Sequence, residues 1–462
     1  MKNLGAIIFM MLATLVSAQT ETNKTAFSLT EAQEYAVANN DSLALLQLDV
    51  TKAEKQVMET RAIGLPQVSG ELSLQYFFDI PTQLLPDFIS PAVYGVLMQE
   101  GLIEPKQINT GDMVATQFGT DYNIKAGVNV NQLIFDGQYI VALRASRTYK
   151  SLSRTMLNTS TINIRANVAK LYMQTLVLNE TVGLLESNQE QLNKSITEMT
   201  AMLKEGLADE LDLDRLVLAK QRIDHQTKII GRTHEVVKLL LKLQMGYPVE
   251  NDIELTDQFD MNLELADNSI LSETANPSAR PEYKTLEVNR ELQELDMQRY
   301  QAGYIPQLVG FFSYSQNALV NEFDAAGDGD NWFPTTVGGV SLNVPVFDGL
   351  TKAAKIQQAK IEMEKADVQM EQFSESVKMQ VMSQQNSYLN AQESFEIEKL
   401  NMELAKKIYD RAKIKYDEGM GSSLEMTTAL TDYYTAQSAF VDASYKLITA
   451  KINLEKALGK YN

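Results

Sequence analysis

The side chains best placed to do chemistry are carboxylates gathered in two short stretches. Asp209, Glu210, Asp212 and Asp214 follow Gly206, and Glu425 follows Gly419 at the position equivalent to Asp212. Carboxylates in pairs can act as general acid and base in a hydrolase; at the start of a helix they also simply complement the macrodipole. The rest of the catalytic repertoire is thin. Cysteine is absent, which removes thiolate nucleophiles, zinc fingers and Fe–S clusters. The two histidines, His225 and His234, are nine residues apart in a helical stretch and so face opposite ways. The acidic, glycine-rich stretch from Asp324 through Asp328 to Asp330 lacks EF-hand spacing and reads as a solvated turn. No acid pair lies in a pocket-forming context, so an enzyme is not expected, nor a catalytic residue, a metal or a cofactor.

Composition narrows the partners. The 462 residues carry 41 Lys and Arg against 60 Asp and Glu, a net charge of −19, which repels nucleic acid. Lys2, the apolar run Leu4 to Val16 and the small residues Ser17-Ala18 before Gln19 have the form of a secretory signal peptide over 1–18. Elsewhere no run of 18 apolar residues exists, so an exported chain that enters a membrane must do so as β-strands.

The acidic stretches sit where long helices must turn. No proline occurs over 106–247 or 346–462, and the heptad Leu157, Ile164, Leu171, Leu178, Leu185, Leu192, Met199 predicts a coiled-coil helix over 138–205 followed by another over 209–245. A second seam, Ile356 to Val377 and then Val381 to Tyr416, predicts helices over 350–418 and 422–458. The chain also repeats itself. Leu65-Pro66-Gln67 recurs as Ile305-Pro306-Gln307, Phe135-Asp136-Gly137 as Phe347-Asp348-Gly349, and Gly246 as Gly459. Each half reads helix, two strands, long helix, tight turn, helix: a first repeat over 19–247 and a second over 278–462. Between them, residues 248–279 hold eight acids and no Lys or Arg. The first half is longer between Phe77 and Tyr122, where Pro81, Pro86, Pro91 and Pro105 predict a loop insertion.

Period-two alternation predicts strands over 67–78, 122–135, 307–316 and 335–347, each of a length to cross a bilayer when tilted. Taken alone they also suit two soluble hairpins packed on helices. Four strands cannot close a barrel, however, so in a membrane several copies must contribute.

The order of elements, the Phe-Asp-Gly pairs, Ala279-Arg280-Pro281-Glu282 and the Gly-then-acid turns at 206–212 and 419–425 resemble the TolC-like outer membrane efflux proteins. The resemblance implies a mixed α and β membrane protein. It would be a homotrimer whose twelve-stranded transmembrane β-barrel, four strands per protomer, continues into a long periplasmic α-helical barrel of coiled-coil helices. The segment 248–277 would be an acidic equatorial linker. Partners would be a periplasmic adaptor, an inner-membrane pump and outer-membrane lipid. The periplasmic constriction would involve Asp209, Asp212, Tyr416 and Glu425, with threefold rings of acid selecting cations. Thr428 and Gly421 depart from the acid and arginine that the family carries there.

The implied function is a passive exit duct of a tripartite efflux pump or type I secretion system. A secreted coiled-coil scaffold without a pore and a carboxylate hydrolase are the readings to set against it.

Overall fold

The computed structural model describes residues 25–87, 89–104, 113–206, 208–259 and 268–461; the expected signal peptide lies outside them. In chain order the elements are β1 (Ala26–Phe27), α1 (Leu29–Asn39), α2 (Asp41–Ile63), β2 (Gln67–Tyr76), β3 (Thr82–Pro86), α3 (Ile89–Gln99), β4 (Met113–Gln117) and β5 (Tyr122–Phe135). There follow α4 (Gly137–Lys204), α5 (Glu210–Met245), β6 (Glu254–Leu255), α6 (Pro281–Ala302), β7 (Gln307–Val320), β8 (Trp332–Asn343), α7 (Thr351–Asp417) and α8 (Ser423–Ala457). At 1.5 Å per residue α4 is about 100 Å long.

The chain divides into two compact units. The first contains residues up to 52, 150–290 and 365 onward. Its cores follow the heptads: Ile164, Leu192 and Met199 of α4 are buried, as are Val377, Val381, Tyr388 and Tyr409 of α7. The seam on α7 changes phase between Val377 and Val381, a four-residue step that leaves both residues buried. Leu216 and Ile223 of α5 and Met426 and Leu430 of α8 complete the packing nearest the helix turns. Each Leu-sized side chain so buried contributes roughly 1.5–3 kcal/mol.

Both returning helices end in the same kind of joint. Helix α5 stops at Gly246, in the left-handed region at φ 69°, and a Cβ there would lie 2.2 Å from the carbonyl oxygen of Asn39. Helix α8 runs out to Gly459 at φ 73°, where a Cβ would meet the Ala279 carbonyl at 2.7 Å. The side chain after each carbonyl then caps the helix: Asn40 Nδ2 donates to Gln244 O at 2.8 Å, and Arg280 Nη1 donates to Ala457 O at 3.1 Å. Asn40 Oδ1 meanwhile accepts from Ser42 N and Leu43 N, capping α2, so the first helix expected from the sequence is two helices broken at Asn40.

The acidic segment after α5 is tied down rather than free. β6 pairs in parallel with β1, matching Ala26 with Glu254. Tyr172, fully buried, donates to Phe27 O at 2.9 Å, and Leu29 N donates to Asp257 at 2.8 Å. Burial pushes the Tyr172 phenol well above its ordinary range, so it stays a donor. Residues 260–267 lie outside the described set.

The second unit contains residues 53–149 and 291–364. Its four-stranded antiparallel sheet has the order β2-β5-β7-β8. Four strand bounds differ from expectation. β7 runs on to Val320 because Asn317 and Val320 still find partners, in β8 and β5, and β8 starts earlier, at Trp332. β8 ends at Asn343, before Pro345, and Gly349 and Leu350 turn the chain with φ 66° and 67°. β2 stops at Tyr76, with Phe77 N adding one further bond to Asp121 O. The insertion between β2 and β5 is also more than a loop: β3 and β4 form a hairpin around the helix α3. The Asp of each Phe-Asp-Gly pair caps the long helix that follows it. Asp136 Oδ1 accepts from Gln138 N at 2.7 Å, and Asp348 Oδ2 from Lys352 N at 3.0 Å.

Candidate functional site: a two-faced sheet and two acidic helix turns

Register decides what each face of the sheet is. Val68, Val130 and Phe312 lie side by side, as do Leu72 with Ala126 and Leu74 with Ile124 and Ala318. One residue along, Ser69, Asn129 and Ser313 share the other face, as do Glu71 with Gly127 and Ser315, and Ser73 with Lys125 and Asn317. The second face is knit by polar contacts. Lys125 Nζ reaches Glu71 at 2.9 Å, Asn129 Nδ2 donates to Glu71 at 3.2 Å, Ser313 Oγ bonds Asn129 at 2.6 Å, and Asn317 Nδ2 donates to Thr335 at 3.0 Å. The first face is mainly apolar, with Gln316 Nε2 donating to Tyr314 Oη at 2.7 Å as a polar contact on it, and is largely uncovered; Leu72 is 80% exposed and Val340 68%.

Aromatic rings mark the end of the sheet away from the helix exits. Tyr76 stacks edge-on against Phe78 at 4.9 Å and packs on Tyr122 at 4.8 Å, and Tyr122 meets Phe323 at 5.7 Å. A ten-residue strand, greasy on one side, wet on the other and rimmed with aromatics, is the wall of a transmembrane β-barrel.

The helix turns belong to the first unit. At the first, Asp209 is the N-cap of α5, its carboxylate accepting from Leu211 N at 3.2 Å, and Asp212 pairs with Arg215 at 3.3 Å. At the second, Gly419 takes φ 72°, and both Met420 N and Gly421 N donate to Lys415 O at 2.9 Å. Ser422 caps α8 by accepting from Glu425 N at 3.1 Å, and Glu425 Oε1 meets Lys415 Nζ at 3.2 Å.

Of the four residues singled out from the sequence, the fold brings two into one neighbourhood. Tyr416 donates toward Met199 Sδ at 3.5 Å. Burial, and then the nearby charges of Asp212, Asp417 and Glu198, hold its phenol above the ordinary range. Glu425 faces its own turn through Lys415, and Asp209 does a cap's work. Thr428 is exposed. Gly421 leaves no side chain at all, and a Cβ there would sit 3.0 Å from that of Lys415. Sequence reasoning missed Lys415 and the Met199–Tyr416 contact. The ten-residue separation of Lys415 and Glu425 across a Gly-containing turn was the available signal for the first; the second needs two helices in register. His225 and His234 stand apart from both turns in sequence, and among the described residues no cluster of His, Asp or Glu could hold a metal ion.

Together, a sheet with the two faces of a barrel wall and long coiled-coil helices with acidic turns make up the fold seen in outer-membrane channels. Residues 277–460 match the family described as outer membrane efflux protein. The fold is similar to that of CusC (16% identity, TM-score 0.71, covering 93% of this chain and 92% of that one). It is similar also to the CmeC outer membrane channel of Campylobacter jejuni (16%, 0.69, 97% and 91%) and the MtrE outer membrane channel of Neisseria gonorrhoeae (16%, 0.67, 93% and 88%). No curated protein matches it in sequence. The likeness to the TolC-like outer membrane efflux proteins is therefore one of sequence over residues 277–460 and one of fold over the rest of the chain.

Proposed function

We propose that three copies join their sheets edge to edge into a twelve-stranded barrel, continued by their helices into the periplasm, and that this trimer is the exit duct for cargo delivered by an inner-membrane pump through a periplasmic adaptor. The observation that carries the reading is the open sheet. Each outer strand, β2 and β8, is paired along one edge only among the described residues, while one face is mainly apolar and largely uncovered. An unpaired edge in hydrocarbon costs several kcal/mol for each unsatisfied group, so such a sheet is stable there only when closed.

The helices support the same stoichiometry. Besides its buried seam, α7 carries exposed Ile361, Val368, Met382 and Leu389 at heptad spacing, and α5 carries exposed Leu211, Leu218 and, further along, Val236 and Leu243. Spare coiled-coil seams suit neighbouring copies. In this reading Asp212 and Tyr416 sit at the periplasmic constriction, with Asp209 and Glu425 adding charge to the turns, each repeated three times. Such rings favour cations. A duct of this kind is passive and performs no catalysis; what passes is set upstream.

The test is extraction and conductance. The mature chain should leave the membrane only with detergent, migrate as a heat-modifiable trimer and give cation-selective pores in planar bilayers. Asp212→Ala combined with Glu425→Ala should lower that selectivity and relieve block by trivalent cations while the trimer persists. A water-soluble monomer would defeat the duct; unchanged selectivity would move the constriction elsewhere.

A further inference from the structure

The two strand hairpins end in opposite chemistry. The β7–β8 tip is short and polar, folded by Asn331 Nδ2 and Trp332 Nε1 donating to Ala325 O and Ala326 O at 2.8 and 2.9 Å. The β2–β5 tip carries α3, eleven residues without a single charge. Asp87 caps it, accepting from Ser90 N at 2.8 Å. Ile89, Val93 and Val96, spaced to share one face, are 60%, 50% and 60% exposed. The adjoining hairpin adds exposed Leu84 and Val114. So much uncovered apolar surface in one insertion marks a binding face.

Two observations choose the occupant. The insertion leaves the sheet at its aromatic rim: Phe78, 89% exposed, packs on Tyr76, whose strand neighbours form the apolar face. Apolar surface therefore runs on from the lipid-facing wall into the insertion. Charge speaks against sister copies as the cover. Asp79, Asp87, Glu100 and Glu104 flank α3 in sequence and Lys106 is the one Lys or Arg between residues 62 and 122, so copies brought together there would gather an excess of like charge. At about 16 Å the helix is too short to span.

On the strength of the duct reading, we propose that α3 lies flat in the membrane leaflet beside the aromatic rim, with Ile89, Val93 and Val96 against acyl chains. The binding is apolar, because α3 brings no cation to a headgroup; it is therefore insensitive to ionic strength and to anionic lipid.

A single-tryptophan series in the full-length chain tests this. Trp332 is the only tryptophan, so Trp332→Phe gives a silent background for Val93→Trp, and Leu72→Trp on the sheet serves as the control. In phosphatidylcholine vesicles, brominated acyl chains should quench both reporters at least twofold, with aqueous iodide quenching neither and 0.5 M salt changing nothing. Quenching of Val93→Trp by iodide alone would place α3 in water and overturn the proposal. Protection from both quenchers would place it against protein, a sister copy or the barrel's own interior, and would also overturn it. Escape of Leu72→Trp from brominated lipid would instead sink the duct reading beneath it. Should Trp332→Phe disturb the β7–β8 tip, a nitroxide on Val93→Cys in this cysteine-free chain gives the same answer. Greater collision with oxygen than with a water-soluble nickel chelate supports the leaflet, and the reverse refutes it.

Discussion

The joint at Gly246 and the joint at Gly459 share a backbone and differ in chemistry. In each, a left-handed glycine lets the helix end pass beneath a carbonyl from the opening segment of its own repeat. The first is then held by a neutral amide, Asn40, which serves two helices at once. The second is held by Arg280, only 7% exposed, which also makes two bonds to Glu282 at 3.1 and 3.2 Å. Geometry is what the repeat preserves; the polar solution at each copy is free to drift provided the helix's last carbonyls are satisfied.

The largest effect should come from the shared feature. Gly246→Ala places a Cβ 2.2 Å from backbone that cannot step aside and strains a positive φ as well. It should cost more than about 3 kcal/mol, enough to prevent assembly of a heat-resistant trimer. Gly459→Ala, with 2.7 Å, should cost less but in the same way. Gly183, mid-helix with nothing within 4 Å, is the control: alanine there should stabilise by up to about 1 kcal/mol. Equal behaviour of all three in urea unfolding would show that the joints are not tight.

Next come the caps. Arg280→Met leaves the half-buried Glu282 carboxylate unpaired and should cost about 2–3 kcal/mol. Asn40→Ala, losing a neutral cap, should cost about 1–2 kcal/mol. Acid separates the two further. Burial pushes the Glu282 carboxyl up, but the Arg280 hydrogen bonds, a backbone hydrogen bond and the charges of Arg280 and Lys456 together outweigh it, and the net position is below the usual 4.5. The stability this pair adds is therefore full above pH 4.5 and lost as pH falls through the lower folded value. In Arg280→Met that depression disappears, so the mutant's deficit should be largest near neutral pH and shrink below pH 4.5. Asn40→Ala should show a deficit that does not change with pH, and unfolding series at pH 3.5 to 7 would reveal either failure.

Much of this was legible in the sequence. The heptads on Leu157 to Met199 fixed which face of α4 is buried, and period two in Val68 to Tyr76 separated the sheet's faces, because both signals are local and repeat many times. Boundaries governed by single residues were harder: Asn40 splits a helix without proline or glycine, and β8 stops short because of Pro345. The insertion read as a loop since four prolines outweighed its short apolar run, although three of them, Pro81, Pro86 and Pro91, stand where a strand or helix begins or ends. The site was legible in part. Asp212 and Tyr416 share a neighbourhood, but Lys415 and Met199 act through contacts that only helix register determines.

The smallest expected change in stability concerns the same contrast at the other end of these helices. The first turn neutralises Asp212 with Arg215 on its own helix, whereas the second spans its turn, Lys415 on α7 to Glu425 on α8. The Lys415 and Glu425 side chains are more than half exposed, and such pairs contribute about 0–1 kcal/mol. Lys415→Met should therefore leave unfolding nearly untouched. Its electrical effect should be larger, since removing one cation per protomer strips the partner from Glu425 and adds three net negative charges to a trimer's constriction. Cation selectivity should rise in Lys415→Met and return toward the parent value in Lys415→Met with Glu425→Gln, most clearly at low salt, where screening is weakest. If the single and double variants conduct alike, the second turn does not face the ion path, and the constriction rests on Asp212 and its neighbours alone.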